Sequence, residues 1–309
     1  LISKGGDLLQ ENIMTLSDGR KLGFSVYGDK KGIPLFLFHG TPGSRIWFLE
    51  DDYIAQRLGV LLIATDRPGY GLSDKKVNRK ILEYSSDIEE LADYLELDKF
   101  SVLGVSGGGA YASAVSHCLT HKVKLCILVS TATPFVDGKP SKAMSKENRL
   151  AFFLTNYFPW LLKLVNKTQK RLIDKNPEKY KATLKKGGSH LSEWDNEILL
   201  DEEVLENGVV HSKEAYRQGV NEVIYESKLL ARDWEFKLEE IKTPIKIWHG
   251  ENDTLSPVSE VKTMEQRLLN VETHYIEHGG HFLTEKDDVW ESIITNKPQI
   301  LENTLIPLL

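Results

Sequence analysis

The sequence predicts an α/β fold, with a mostly parallel central sheet, helices on both faces, and one long helical insertion. Three observations carry this expectation. Short, wholly apolar runs alternate with helix-periodic stretches as far as Thr131. The alternation stops near Pro134, and from Asp137 to Glu240 the pattern is helical with no convincing strand. It then resumes from Ile245 to Ile294. Strands alternating with helices require right-handed crossovers and a sheet buried on both sides. At 309 residues the chain sits at the upper edge of what one core supports, which fits a single α/β domain carrying an insertion.

The elements follow in order. Lys21 to Tyr27 comes after the turn signal Asp18-Gly19 and reads as a strand leaving a hairpin. Ile33 to Phe38 is a buried-strand run that ends at His39-Gly40. Tyr53, Ile54, Arg57 and Leu58 mark a short helix, and Val60 to Thr65 is a strand ending at Asp66. Ile81, Tyr84, Ile88, Leu91, Ala92 and Leu95 have helix spacing. Phe100 to Val105 is a buried strand. Gly107 to Leu119 is rich in small residues, as suits a helix lying close on a sheet, and Val123 to Thr131 is a further strand. Beyond the insertion come a strand at Ile245 to Trp248, a helix at Val258 to Leu269, a strand at Glu272 to Ile276 and a helix at Asp287 to Ile294. The expected division is a core of residues 1–136 and 241–309 around a helical cap of residues 137–240.

Composition removes several function classes. Charges sum to 39 − 45 = −6, and the pI is near 5.9, so nothing general favours nucleic acid. A hydrophobic share of 41% excludes a large disordered protein. Cys118 and Cys126 cannot form a disulfide framework, fit a reducing compartment, and read as core thiols. Apolar runs such as Val60 to Ala64 are far too short to span a bilayer, and no leader pattern is visible. The expectation is a cytoplasmic protein without stable membrane insertion, although the first residue is not Met. The sequence leaves the oligomeric state open.

The chemistry centres on Gly104-Val105-Ser106-Gly107-Gly108, a G-x-S-x-G motif where a buried strand meets a helix start. A strained turn there lifts a serine hydroxyl above the sheet. Ser106 alone is a weak nucleophile and needs a base, an orienting acid and oxyanion donors. These must come from loops at the C-terminal strand ends. Asp253 follows the strand at Ile245, and His281 follows the strand at Glu272. His278 is the alternative base. For the oxyanion, Gly107 supplies one backbone N–H; the second comes from His39-Gly40-Thr41-Pro42-Gly43. Pro42 has no N–H, so Thr41 is the better donor, and His39 braces the loop. Gly40, Gly104 and Gly108 leave room for neighbouring backbone. His117 and His121 have helical spacing but lack a third ligand with zinc-like spacing, so neither a metal nor an organic cofactor is expected.

On these motifs, together with Asp66-Arg67-Pro68-Gly69-Tyr70-Gly71-Leu72-Ser73-Asp74, the chain resembles the α/β-hydrolase superfamily of lipases, esterases and proline-iminopeptidase-like enzymes. The resemblance implies an α/β-hydrolase fold and a Ser-Asp-His order in the chain. It also implies that the Asp66 loop is structural. Ser106 stands where haloalkane dehalogenases and epoxide hydrolases have Asp. Gly107 stands where haloperoxidase relatives have Met and iminopeptidases Trp, and Thr41 departs from the iminopeptidase H-G-G-P-G. A small-molecule acyl substrate is therefore expected, first a carboxylic ester. The alternatives are an aminopeptidase and a slow-turnover ligand receptor on the same fold.

The insertion is split in charge. Residues 137–192 hold 13 basic and 4 acidic residues, and residues 193–240 hold 5 and 14. Two solvated faces that attract each other would account for this, and so would a substrate ammonium bound by Glu202, Glu203 or Glu206. Phe152, Phe153, Tyr157, Phe158, Trp160, Leu161, Leu164 and Val165 are expected to pack cap helices together or to wall an acyl pocket. Lys163, Lys167, Lys170 and Arg171 beside them would favour an anionic surface.

Overall fold

The computed structural model describes residues 11–135 and 138–295. Eight strands form one sheet: β1 (Asn12–Thr15), β2 (Lys21–Gly28), β3 (Ile33–Phe38), β4 (Val60–Thr65), β5 (Phe100–Val105), β6 (Val123–Val129), β7 (Ile245–Gly250) and β8 (Val271–Ile276). Their spatial order is β1-β2-β4-β3-β5-β6-β7-β8. The β1–β2 and β2–β4 pairings are antiparallel, and the pairings from β4–β3 to β7–β8 are all parallel, as the α/β expectation requires.

Side-chain alternation along the strands feeds two cores, one on each face. In β3, Phe36 and Phe38 face one side and Leu35 and Leu37 the other. The first side is covered by α2 (Tyr84–Tyr94), α3 (Gly108–Cys118) and α10 (Val258–Glu265). The second is covered by α1 (Asp52–Leu58) and α11 (Asp287–Thr295). A 3-10 turn over Arg45–Asp51, which the apolar pattern does not signal, joins β3 to α1.

Between β6 and β7 the chain forms α4 (Lys146–Tyr157), α5 (Pro159–Lys175), α6 (Pro177–Lys185), α7 (Glu193–Ile198), α8 (Glu202–Ala215) and α9 (Asn221–Leu230). Their starts follow local chemistry. Ser145, Asn176, Ser192 and Asp201 each accept a hydrogen bond from the first turn they precede, and Pro159 and Pro177 open α5 and α6. Tyr70, from the loop after β4, packs into a cluster with Ile173, Tyr180, Tyr216 and Val223, so the helical segment and the sheet domain share a buried seam.

Two expectations need correction. Cys126 is buried, and its thiol is pushed up to about 12, but Cys118 is exposed because it closes the last turn of α3. The aromatic segment of α4 and α5 is also largely exposed. Phe152 packs on Phe135 and, with the half-exposed Val165, walls a cavity as one of the two alternatives expected, whereas Phe153, Tyr157, Phe158, Trp160 and Leu164 lie at the surface.

Candidate active site

Ser106 occupies the turn between β5 and α3 with φ +52°, a left-handed conformation that costs a non-glycine residue strain. The turn is held because the Ser106 N–H donates to Val129 O at 2.9 Å, and Ser106 O accepts from Gly109 and Ala132. The flanking glycines are required by close approach. A methyl group on Gly104 would meet the Gly108 carbonyl, and one on Gly108 would meet the carbonyl oxygen of Phe38. Helix α3 can therefore lie directly against β3 and β5.

Asp253 and His281 leave the ends of β7 and β8 and meet. His281 Nδ1 lies 2.7 Å from Asp253 Oδ2. The other Asp253 oxygen accepts the N–H groups of Leu255 and Ser256, both at 2.8 Å. Burial alone would push the Asp253 carboxyl up. His281 and the surrounding donors instead hold it below the usual carboxylate range. Burial opposes charge on His281 as well, but Asp253 raises its imidazole above the usual histidine value. His278, the alternative base, is 82% exposed and faces Glu277 rather than Asp253.

One cavity of about 610 Å³ is lined by Ser106, Gly107, Gly40, Thr41 and His281. Among the described residues the N–H groups of Thr41 and Gly107 have no hydrogen-bond partner, so two donors stand open beside Ser106. Ser106 and His281 line this cavity without a direct hydrogen bond between them. His39 is fully buried. Its Nδ1 lies 2.8 Å from Gly40 O, and its Nε2 accepts the Arg67 N–H at 3.3 Å, so the ring braces the Thr41 loop.

Sequence reasoning missed the residues that hold these loops from the helical segment. Glu226 of α9 is fully buried and accepts from Arg67 Nε at 2.7 Å and Arg67 Nη2 at 2.8 Å. It also accepts from Tyr70 Oη and Thr41 Oγ1, both at 2.8 Å. The same guanidinium reaches the carbonyls of His39 and Gly40. Asp195 of α7 accepts the backbone N–H groups of His281 and Phe282 at 2.7 and 2.9 Å. Glu214 reaches Arg45 at 2.5 Å, and Glu222 pairs with Arg79. The acidic half of the insertion thus docks on core arginines and on both site loops. Glu202 and Glu206 instead pair with Lys181 at the surface and lie outside the cavity.

The cavity walls are mainly apolar, with Met144, Phe152, Leu162, Leu205 and Leu230 among them. Its charged side chains apart from histidine are Asp51 and Glu285; no lysine or arginine lines it. Burial pushes the Glu285 carboxyl up to about 7 and His211 down to about 4.

A model of the family described as alpha/beta hydrolase fold matches residues 33–288. The chain is 24% identical over 270 residues to a pimeloyl-[acyl-carrier protein] methyl ester esterase of Legionella pneumophila, covering 84% of this chain and 95% of that one. It is 25% identical over 272 residues to a proline iminopeptidase of Lactobacillus helveticus, covering 84% and 88%. Among solved structures, the esterase EaEST from Exiguobacterium antarcticum aligns with a TM-score of 0.64 at 21% identity, covering 93% of this chain and 98% of that one.

Proposed function

The chain belongs to the alpha/beta hydrolase fold family, and from that premise we propose that it is a serine hydrolase cleaving a small-to-medium acyl substrate, first a carboxylic ester. The observation that carries this reading is the set of groups opening on one cavity. Ser106 sits on a strained turn, His281 is fixed by Asp253, and the Thr41 and Gly107 N–H groups are unpartnered. With Nδ1–H donated to Asp253, His281 Nε2 is left as the acceptor.

Ser106 Oγ attacks the ester carbonyl while His281 Nε2 takes its proton. The oxyanion is held by the Thr41 and Gly107 N–H groups. Collapse expels the alkoxide, which leaves with the His281 proton, and an acyl-Ser106 ester remains. His281 then deprotonates water, which attacks the acyl carbonyl, and Ser106 recovers its proton. Asp253 keeps the imidazole in the required tautomer and stabilises the imidazolium. Residues 137–240 act as the cap over this site, which supplies much of the pocket wall and so sets the acyl or alcohol preference.

The mainly apolar lining favours an ester with hydrocarbon substituents. A second reading, an aminopeptidase, has one observation in its favour: Asp51 and Glu285 face the same cavity and could receive an ammonium group. Turnover of p-nitrophenyl acyl esters against aminoacyl-β-naphthylamides separates the two. Ester preference with no effect of amino-group substitution supports the esterase. Amide preference that collapses in Glu285→Gln would replace it.

A further inference from the structure

We propose that the outer face of α4 and α5 docks on an anionic phospholipid surface, the protein lying on the bilayer rather than spanning it. Among the described residues fourteen large hydrophobic side chains are exposed, and seven of them fall between Leu150 and Val165. Such clustering marks an interaction surface rather than scattered surface apolarity. Val165 borders the proposed catalytic cavity, and the other six lie along the exposed sides of α4 and α5. Leu150, Phe153 and Tyr157 share a side of α4, with the Phe153 ring in tilted contact with Tyr157 and Phe158 at ring distances of 4.9 and 5.9 Å. On α5, Trp160 and Leu164 share an exposed side, followed at helical spacing by Lys167 and Arg171.

The charge selects the occupant. Between Glu147 and Asp174 there is no carboxylate, while Arg149, Lys163, Lys167, Lys170 and Arg171 are all basic. Lys170 pairs with Asp174, but among the described residues none of the other four, nor Lys146, has an ion-pair partner. A surface hollow of about 480 Å³ joins Leu150, Phe153 and Tyr157 to Lys139, Lys146 and Arg149. Exposed aromatic and aliphatic side chains set among unpaired cations are the composition of helices that lie in a lipid interface and sense anionic headgroups. A second copy of this chain fits poorly, because a two-fold contact would set these cations against each other. No helix among the described residues is long and apolar enough to cross a membrane, consistent with surface docking.

The same helix also lines the proposed catalytic cavity. Leu162, Val165, Asn166 and Gln169 of α5 face it, one helical side away from Trp160 and Leu164. Docking would bring the cavity wall next to a pool of lipid acyl esters. This last step rests on the hydrolase reading; the docking itself does not.

The test is sedimentation of the full chain with sucrose-loaded vesicles, read without turnover. Partitioning should be at least about tenfold stronger to phosphatidylcholine vesicles carrying about 30% phosphatidylglycerol than to phosphatidylcholine alone, and should weaken with salt. Lys167→Glu/Arg171→Glu and Trp160→Ser/Leu164→Ser should each reduce it by about tenfold or more. Both double variants should keep wild-type far-ultraviolet circular dichroism and a wild-type thermal midpoint, which separates lost docking from lost folding. No partitioning to anionic vesicles, or partitioning that neither double variant alters, overturns the proposal. So does a dimer abolished by Trp160→Ser, which would assign the face to a second copy. So does binding to an acidic protein under conditions where vesicles are ignored.

Discussion

Replacing Glu226 with Ala removes the carboxylate that ties the helical segment to the loop holding Thr41. Its hydrogen-bond partners are two Arg67 nitrogens, Tyr70 Oη and Thr41 Oγ1, at 2.7 to 2.8 Å, Arg79 Nη2 lies 3.7 Å away, and both members of the Arg67–Glu226 pair are fully buried. Loss of one member of a buried pair leaves an uncompensated charge and costs about 3–5 kcal/mol. Arg67 keeps the His39 and Gly40 carbonyls, so the lower half of that range is expected. Chemical denaturation should show a loss of about 3 kcal/mol. The Thr41 loop also loses its anchor, and a misplaced donor should lower kcat by roughly 10–100-fold with KM changed less. Glu206→Ala, which breaks a surface pair with Lys181, should cost less than about 0.5 kcal/mol. In Arg67→Met/Glu226→Leu the directly hydrogen-bonded pair is removed together and Arg79 keeps Glu222, so stability should recover in part while kcat stays low. A Glu226→Ala loss below about 1 kcal/mol, or a double variant with full kcat, would refute the reasoning.

Four further outcomes follow from the same geometry. Because His281 must be neutral to accept a proton and Asp253 raises its imidazole, kcat/KM should climb with pH along one limb centred above the usual histidine value. Asp253→Asn should lower kcat by about 10⁴-fold and move that limb to lower pH, as pH–rate profiles would show. Gly108→Ala should destabilise by about 1–3 kcal/mol or more in a denaturant melt, since its methyl group would press on the Phe38 carbonyl, whereas an unchanged midpoint would contradict that packing. Glu285, pushed up to about 7, binds its proton more tightly folded than unfolded, so its contribution is present in acid and lost as pH rises through about 7. Glu285→Gln should therefore stabilise the protein by about 1–3 kcal/mol at pH near 8 relative to wild type and do little near pH 4, as paired thermal melts would report.

The sheet was legible because strands buried on both faces are written as unbroken apolar runs, and each parallel strand is followed by a loop at the same end. Ser106, Asp253 and His281 could therefore be placed after the C-terminal ends of β5, β7 and β8 from chain position alone. The hairpin partner β1 was only implied, because its alternating, half-exposed residues Asn12–Thr15 carry little hydrophobic signal. The carboxylates that brace the site were not legible. Asp195 meets His281 across 86 residues and Glu214 meets Arg45 across 169, and no periodicity encodes such pairings. The available hint was complementary: Arg45 and Arg67 lie in apolar settings that demand buried acids, and residues 193–240 carry an acidic excess. The aromatic face of α4 and α5 was misread for a related reason. Helical spacing of apolar residues is the same whether that face meets a core or something outside the chain.

The central claim is that Ser106 carries the acyl group. Incubation with a fluorophosphonate followed by peptide mass spectrometry should find the adduct on the peptide containing Ser106, with esterase activity lost in step with labelling. Ser106→Ala should neither label nor turn over, its kcat falling by at least roughly 10³-fold. Labelling at another residue, or near-wild-type turnover in Ser106→Ala, would contradict the account.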